Sequence, residues 1–231
     1  FASPEFAANI VGNQTLTKKK NGRLILSGNS TWTGNVEVEE GTVRVVGVNA
    51  LGSNVGGTNV ASNATLELEG VANLAENIVL NANSSLVNIS GNSEITLPVL
   101  INANANIDVQ AGTLTLNPSS GSAISANIGS TPNLTLLGAG DLVLEGVLNL
   151  GNNNPGLATA FGNFSQNGTG TARFKDTLYA ATLGSTGGGT IWMDQPGGLS
   201  VALPSTTLIS LDNGSILRRD SSETVTGLNL S

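Results

Sequence analysis

The sequence has 231 residues, a formal net charge of −7, and neither Cys nor His. Charged residues make up 11% and aromatic residues 3%, while 30 residues are Gly; averages are about 25% charged and about 7% Gly. Without Cys and His there is no disulfide, thiolate nucleophile, imidazole base or metal site ligated by these residues, which excludes much common catalytic chemistry. We therefore assign no catalytic residue, metal site or cofactor, and we expect a protein that is not an enzyme.

The balance of apolar and charged residues indicates a folded chain. Hydrophobic residues make up 39% of the sequence, too many for intrinsic disorder. The longest apolar runs, such as residues 97–101, are far shorter than the roughly 20 residues that span a membrane, so we expect no membrane insertion of this segment. The acidic balance argues against nucleic acid as a partner, because phosphate contacts need clustered Lys and Arg. We interpret the basic clusters as solvated turns: residues 18–20 with Arg23, Arg173 with Lys175, and Arg218 with Arg219.

Short runs in which every second residue is apolar predict β-strands along the chain. In chain order the clearest runs cover residues 24–26, 36–38, 42–46, 65–68, 77–80, 85–89, 106–109, 113–116, 133–136, 141–144 and 206–211. Gly, Asn, Ser and Thr separate these runs. The best helical fragment, residues 71–76, is only about one and a half turns long. The pattern predicts an all-β chain.

Two all-β architectures fit strands of this length and spacing. One is a sandwich or barrel of antiparallel hairpins, and the other is a solenoid whose coils each contribute two or three short parallel strands. Asn-Gly turns and aromatic residues are few, which favours the solenoid with a core of stacked Val, Ile, Leu and Ala. We also expect Asn side chains to form ladders between coils. Coils of about 20–25 residues predict roughly ten coils and a rod about 45–50 Å long.

One stretch is more specific than the composition. Residues 16–52 contain Leu16, Lys18, Gly22, Leu24, Leu26-Ser27-Gly28, Trp32, Gly34, Glu40-Gly41 and the closing Ala50-Leu51-Gly52. This stretch resembles the autotransporter-associated β-strand repeat found in passenger regions of bacterial surface proteins. It departs from that pattern at Lys20, where Gly is usual, and at Val43, where Leu is usual. A partial second copy covers residues 134–146 and has Leu in place of the basic residue.

The resemblance implies a right-handed parallel β-helix that is secreted and displayed at, or released from, a bacterial cell surface. Within that scheme we interpret residues 1–8 as a cloning remnant or a mature N-terminal extension. Residues 9–150 form the β-helix with repeat motifs at 16–52 and 134–146, and residues 151–231 continue it with a loop-rich or capping segment. Residues 151–170 look loop-like, and five aromatic residues suggest a cap, a side loop or ordinary packing under a long loop: Phe161, Phe164, Phe174, Tyr179 and Trp192.

A polysaccharide-active β-helix is the main enzymatic alternative. Glu37 with Glu39, and Glu67 with Glu69, are pairs about 6.8 Å apart along a strand, within the range that glycoside hydrolysis uses. The alternating apolar residues explain both pairs as the solvent-facing side of a strand, and Trp32 is the one aromatic platform nearby. Lyase chemistry would depend on the only compact basic and acidic group, which consists of Arg173, Lys175 and Asp176.

We therefore predict an extracellular, non-catalytic structural or adhesive protein, such as a passenger-like stalk, an adhesin or a matrix component. Its partners would be other copies of itself or components of the cell surface and extracellular matrix, and its binding residues stay unassigned. One alternative is a filament subunit in which residues 1–15 pair with a neighbour's exposed strand edge. The other is a polysaccharide-binding or polysaccharide-degrading β-helix.

Overall fold

The chain forms short parallel β-strands throughout the computed structural model, which describes residues 3–151, 161–194, 207–212, 214–220 and 228–230. These ranges contain twenty-five strands and no helix. In chain order the strands are β1 (Glu5–Phe6), β2 (Leu16–Lys18), β3 (Arg23–Leu26), β4 (Val36–Val38), β5 (Thr42–Val45), β6 (Thr58–Val60), β7 (Thr65–Glu69), β8 (Ile78–Leu80), β9 (Ser84–Ser90), β10 (Ser93–Ile95), β11 (Val99–Ile101), β12 (Ala105–Val109), β13 (Thr113–Leu116), β14 (Ser122–Ala126), β15 (Leu134–Leu137), β16 (Asp141–Leu144), β17 (Val147–Asn149), β18 (Asn163–Gln166), β19 (Thr171–Phe174), β20 (Leu178–Tyr179), β21 (Thr182–Ser185), β22 (Thr190–Met193), β23 (Leu208–Leu211), β24 (Ile216–Arg219) and β25 (Leu228–Leu230).

The strands lie in three parallel sheets, in which strands from successive turns of the chain are neighbours. Sheet A has the order β1-β3-β5-β7-β9-β12-β15-β18-β21-β23-β25. Sheet B has the order β2-β4-β6-β8-β11-β14-β17-β20, and sheet C has the order β10-β13-β16-β19-β22-β24. From β8 to β22 the chain thus runs from sheet B to sheet A to sheet C and back, whereas β2 to β7 alternate between sheets B and A. This confirms the predicted solenoid, which has about nine turns rather than ten; its right-handed winding stays a prediction.

The turns differ in length and in cross-section. Asn29 bonds to Asn9, 20 residues away, whereas Asn163 bonds to Asn133, 30 residues away. Before β10, the described segments between sheet A and sheet B contain no strand of sheet C. The predicted helical fragment lies in one of these segments, where Leu74 forms an isolated parallel bridge with Ile95. The cross-section therefore grows from two strands per turn to three.

Alternation along each strand separates a buried column from an outer face. In β4, Val36 and Val38 are fully buried, while Glu37 between them is partly exposed. Parallel register then places equivalent residues directly above one another. One interior column of aliphatic side chains crosses five turns of sheet A: Val43, Leu66, Leu86, Ile107 and Leu136. This confirms the core of stacked small aliphatic residues that the composition predicts.

Glycine is needed where the corners between sheet A and sheet C stack closely. A Cβ on Gly170 would lie 1.9 Å from the carbonyl oxygen of Gly140, and a Cβ on Gly140 would lie 2.6 Å from that of Gly112. No side chain fits at such distances without a backbone shift. The high Gly content therefore serves the close approach of successive turns as well as the turns themselves.

The two repeat copies occupy different corners of the solenoid. In the copy at 16–52, β2 and β3 join sheet B to sheet A. In the copy at 134–146, β15 and β16 join sheet A to sheet C. The shared pattern therefore describes a strand, a Gly-containing corner and a second strand, and it does not mark one fixed position on the rod.

The C-terminal part continues the sheets of the N-terminal part. Phe164 and Phe174 are buried inside the solenoid with their ring centroids 5.2 Å apart in an edge-to-face contact. The stretch 151–170 is not purely a loop, because it contains β18. Residues 152–160 and 195–206, which would hold much of the predicted loop or cap, lie outside the described residues.

Residues 3–15 form the first turn of the same solenoid. Ile25 N and Ser27 N donate to the carbonyl oxygens of Pro4 and Phe6, and Thr31 N and Thr33 N donate to those of Ile10 and Gly12. Within this chain, the N-terminal segment thus pairs with its own next turn.

Candidate functional site

The first candidate carboxylate pair lies on and just after β4 of sheet B. Its two glutamates contact different partners. Glu37 accepts a hydrogen bond from Asn59 Nδ2 at 2.7 Å, and Glu39 Oε2 lies 3.3 Å from Lys19 Nζ. Glu39 is exposed, and its ion pair lies at the solvent surface. This arrangement agrees with the predicted solvent-facing strand and gives no sign of an acid and base acting on one bond.

In the second pair the solvent-facing prediction is wrong for Glu67, which is only 8% exposed, whereas the Glu69 side chain remains 41% exposed. Arg44 Nε donates to Glu67 Oε2 at 2.9 Å, and Arg23 Nη2 donates to Glu67 Oε1 at 2.9 Å. Arg44 Nη1 also reaches Glu69 Oε2 at 3.2 Å. Neighbouring turns place opposite charges about 4.8 Å apart on the outer face, so the side chains pair and cover one another. The negative charge of Glu67 is thereby balanced by the two guanidinium groups.

The compact basic and acidic group of the sequence does not act as a unit. Arg173 pairs with Asp194 one turn further along, while Lys175 Nζ pairs with Glu145 Oε1 at 2.7 Å one turn back. Asp176 accepts a hydrogen bond from the backbone N–H of Thr177 at 2.6 Å. The two cations are engaged in opposite directions along the rod, which leaves this group poorly suited to supply the base for a lyase.

Trp192 and two arginines form a stack on the outer face of sheet C. Register places Arg173, Trp192 and Arg218 opposite one another on three successive turns. Their guanidinium carbons lie 4.0 Å and 3.9 Å from the Trp192 ring centroid, and Trp192 Nε1 donates to Asp220 Oδ2 at 2.8 Å. That hydrogen bond, with further help from Arg218, lowers the pKa of Asp220. Because an arginine covers each ring face, Trp192 has no free face on which a sugar could stack.

Trp32, the other candidate platform, lies inside the protein. It is 1% exposed and belongs to the hydrophobic core. Gly34 lies so close that an added Cβ would be 2.4 Å from the Trp32 Nε1 atom. The interpretation of Trp32 as a sugar platform is therefore wrong, and its aromatic ring fills the interior of a turn that lacks a strand of sheet C.

Two buried ionisable groups escaped the sequence analysis. Lys18 is 8% exposed rather than part of a solvated turn, and its ammonium donates to the carbonyl oxygens of Lys19, Lys20 and Glu40. Burial lowers its pKa. Glu76 is 2% exposed and accepts a hydrogen bond from Thr58 Oγ1 at 2.8 Å; burial raises its pKa to about 7. Both continue the inward-facing alternation, Lys18 after Leu16 and Glu76 between Leu74 and Ile78. Their i, i+2 spacing to apolar neighbours was therefore the signal that could have found them.

The polar side chains on the outside mostly link one turn to another. Within the described ranges, six of the seven ion pairs join different turns, and the exception is Arg218 with Asp220. Amide ladders do the same. One runs from Glu37 through Asn59 and Asn81 to Asn102, with hydrogen bonds of 2.7, 2.7 and 2.9 Å. The predicted Asn ladders are thus confirmed, and the outer faces are organised for stacking.

Further tests for a conventional site found nothing. Among the residues that the structure describes, no three His, Cys, Asp or Glu side chains come close enough to hold a metal ion. In that part of the chain, no helix is long and apolar enough to cross a membrane. Comparisons with family models, curated proteins and solved structures found no match.

Proposed function

We propose that this protein is a secreted or cell-surface structural or adhesive β-solenoid of a bacterium, serving as a passenger-like stalk, adhesin or matrix component. The observation that carries the proposal is the direction of the outer contacts. The Arg23–Arg44–Glu67 cluster and the Glu37–Asn102 ladder each cross several turns. Side chains arranged in this way stiffen a stack whose stability comes from contacts between neighbouring turns.

The repeat-like residues support the setting. The stretch 16–52 combines its Gly positions with a buried Lys18 and a buried Trp32, and it is this stretch that resembles repeats of bacterial surface proteins. The lack of Cys also suits a rod that gains its stability from stacking instead of from disulfides. Partners would be further copies of this chain or components of the cell surface and matrix.

Three measurements test this proposal. Electron microscopy of the purified protein should show short rods, about 43 Å long for about nine turns at ~4.8 Å per turn. An antibody against the protein should label intact cells of the source bacterium, and added protease should remove that label without lysis. A protein that is protected from protease until the cells are lysed would contradict the proposed location. A panel of polysaccharides, with and without Ca²⁺, should yield no product.

A filament subunit is the second candidate, and the N-terminal turn favours it. Ile10, Leu16 and Leu24 pack against the core but are only partly buried, unlike the equivalent residues of later turns. The backbone of residues 4–12 is bonded to the next turn on one side, and no strand of the described residues lies on its other side, where a second copy could pair. Microscopy at rising protein concentration separates the two candidates, since fibres would favour the filament and uniform short rods would exclude it.

A further inference from the structure

The corner between sheet B and sheet A contains a groove of about 370 Å³. Two successive turns pass this corner tightly, at residues 81–83 and 102–104, whereas the next turn uses the longer segment 127–133 between β14 and β15. The longer segment projects outward, with Ile128 82% exposed. It forms a wall, and the two short corners form the floor. We call this feature the corner groove.

The lining of the corner groove is neutral and polar. It consists of amide and hydroxyl side chains with small apolar residues between them: Ala82, Asn83, Asn102, Ala103, Asn104, Ser130, Thr131 and Pro132. None of these residues is charged, although the outer faces elsewhere carry ion pairs. Amides offer both donors and acceptors, and hydroxyls can do either, so the groove suits a ligand with many uncharged hydrogen-bonding groups.

The amide ladder ends in this groove and leaves an acceptor without a partner. Asn102 Nδ2 donates to Asn81 Oδ1 at 2.9 Å. Register on sheet B would make Asn127 the next member of the ladder, but Asn127 Oδ1 instead accepts from the N–H of Ile128 at 2.8 Å as the chain turns outward. Asn102 Oδ1 is consequently buried and, among the described residues, has no hydrogen-bond donor. Because this atom is itself buried, a ligand in the groove does not reach it, and leaving it unpaired is costly unless a buried water satisfies it.

Asn83 supplies an exposed amide that is free to bind a ligand. Its backbone is held in the left-handed region with φ of 57°, and its N–H donates to the carbonyl oxygen of Asn104 at 2.6 Å. The side chain is exposed, and its amide takes part in no hydrogen bond with the described residues. The corner therefore fixes the backbone of Asn83 while its amide stays available.

An aromatic pair continues the same edge beyond the wall. Pro132 is buried against the next turn, where a Cβ on Gly162 would lie 1.7 Å from the Pro132 carbonyl oxygen. Phe161 precedes that glycine and stacks on Tyr179 with ring centroids 5.9 Å apart. Tyr179 is 37% exposed. Amides followed by an exposed aromatic surface are the chemistry that binds sugar hydroxyls and the apolar faces of sugar rings.

We propose that the corner groove binds an uncharged glycan, lying along the rod from the free amide of Asn83 toward the Phe161–Tyr179 pair. The corner of Phe161 lies three turn-to-turn steps from that of Asn83 and the strand of Tyr179 lies four steps away, about 14 and 19 Å, which is enough for several sugar units. A glycan with carboxylate or sulfate groups would find no cation among the lining residues. The glycan would be the ligand of the adhesive role proposed above, and the inference rests on that proposed function.

The test uses the full chain with three tetrasaccharides: a β-1,4-linked glucose, a β-1,4-linked N-acetylglucosamine and an α-1,4-linked galacturonate. Saturation-transfer NMR detects binding, and backbone amide spectra give the dissociation constant and the site. We expect at least one neutral tetrasaccharide to bind and to shift the signals of residues 82–83, 102–104 and 130–132. Asn83→Gly should weaken that binding about fivefold, as expected for one lost hydrogen bond. It should leave the fold unchanged, because Gly accepts positive φ.

Asn63→Gly is the matched control. Asn63 has φ of 63° and occupies the equivalent corner one turn earlier, outside the groove, so its replacement should leave affinity unchanged. The assignment is wrong if neither neutral sugar binds, if the galacturonate binds best, or if both variants affect binding equally. If no neutral sugar binds but the protein is found as rods at the cell surface, the glycan site is rejected and the structural proposal is kept. If the protein is confined to the cell interior, the proposed function is rejected whatever the sugars do.

Discussion

Arg44 and Glu67 lie directly opposite each other on successive turns of sheet A, and Arg44 Nε donates to Glu67 Oε2 at 2.9 Å. Arg23 approaches the same carboxylate from two turns away. One acidic residue thereby joins three turns of the solenoid. This relationship explains how a surface position can be buried without belonging to the hydrophobic core.

Replacing Glu67 should destabilise the N-terminal part of the rod. Glu67→Gln removes the charge that two arginines share, in a place where the carboxylate is 8% exposed. We expect a loss of about 1–3 kcal/mol in the free energy of unfolding, measured by thermal or denaturant unfolding. Glu39→Gln is the control, because the Glu39–Lys19 pair is exposed and should contribute less than about 1 kcal/mol. Equal effects of the two substitutions would contradict the cluster's role.

Glu76 should contribute more to the stability of the protein in acid than at neutral pH. Its pKa rises from 4.5 to about 7 on folding, so the folded state holds its proton more tightly than the unfolded state does. This contribution is fully present below pH 4.5 and is lost as the pH rises to about 7, by up to about 3 kcal/mol. Glu76→Gln keeps an acceptor for Thr58 and should remove this pH dependence. Unfolding by urea at pH 5 and pH 8 measures it, and an unchanged difference in the variant would refute the assignment.

Gly170 should tolerate no side chain. An added Cβ would lie 1.9 Å from the Gly140 carbonyl oxygen, so Gly170→Ala must separate two turns and should cost at least about 1–3 kcal/mol. Gly22 also lies at a corner, but no atom comes within 4 Å of its hypothetical Cβ. Gly22→Ala should therefore leave the melting temperature nearly unchanged. A Gly170→Ala protein with the wild-type melting temperature would show that these corners are looser than described.

The buried ammonium of Lys18 should stabilise the first corner between sheets B and A. Lys18→Met keeps much of the apolar stem but leaves the carbonyl oxygens of Lys19 and Glu40 without their donor. We expect a cost of about 1–3 kcal/mol, visible as a lower melting temperature. The neighbouring Lys19 has its ammonium at the surface, so Lys19→Met should have little effect. A reversed order of the two variants would argue against the capping role.

Local pattern was sufficient for most of the fold. The alternation of Val36, Glu37 and Val38 predicts which side chains face inward, and it is confirmed by their burial. Sequence reasoning was wrong about the exposure of Glu67 and Lys18, because their buried side chains have polar partners that lie 22 or more residues away. It also missed the groove, since a cluster of Asn and Ser residues near a turn looks like any other loop.

By itself, the sequence indicated that the chain is all-β and that small aliphatic residues fill its interior, and it favoured a solenoid over a sandwich or barrel. These properties follow from the period of two and from composition, which are local. Only the tertiary structure decided which residues stack: that Arg44 lies against Glu67, that the two repeat copies occupy different corners, and that the amide ladder ends at Asn102. Residues that stack on successive turns are separated by between 20 and 30 residues in the sequence. Which residue lies against which therefore depends on the length of every loop between them.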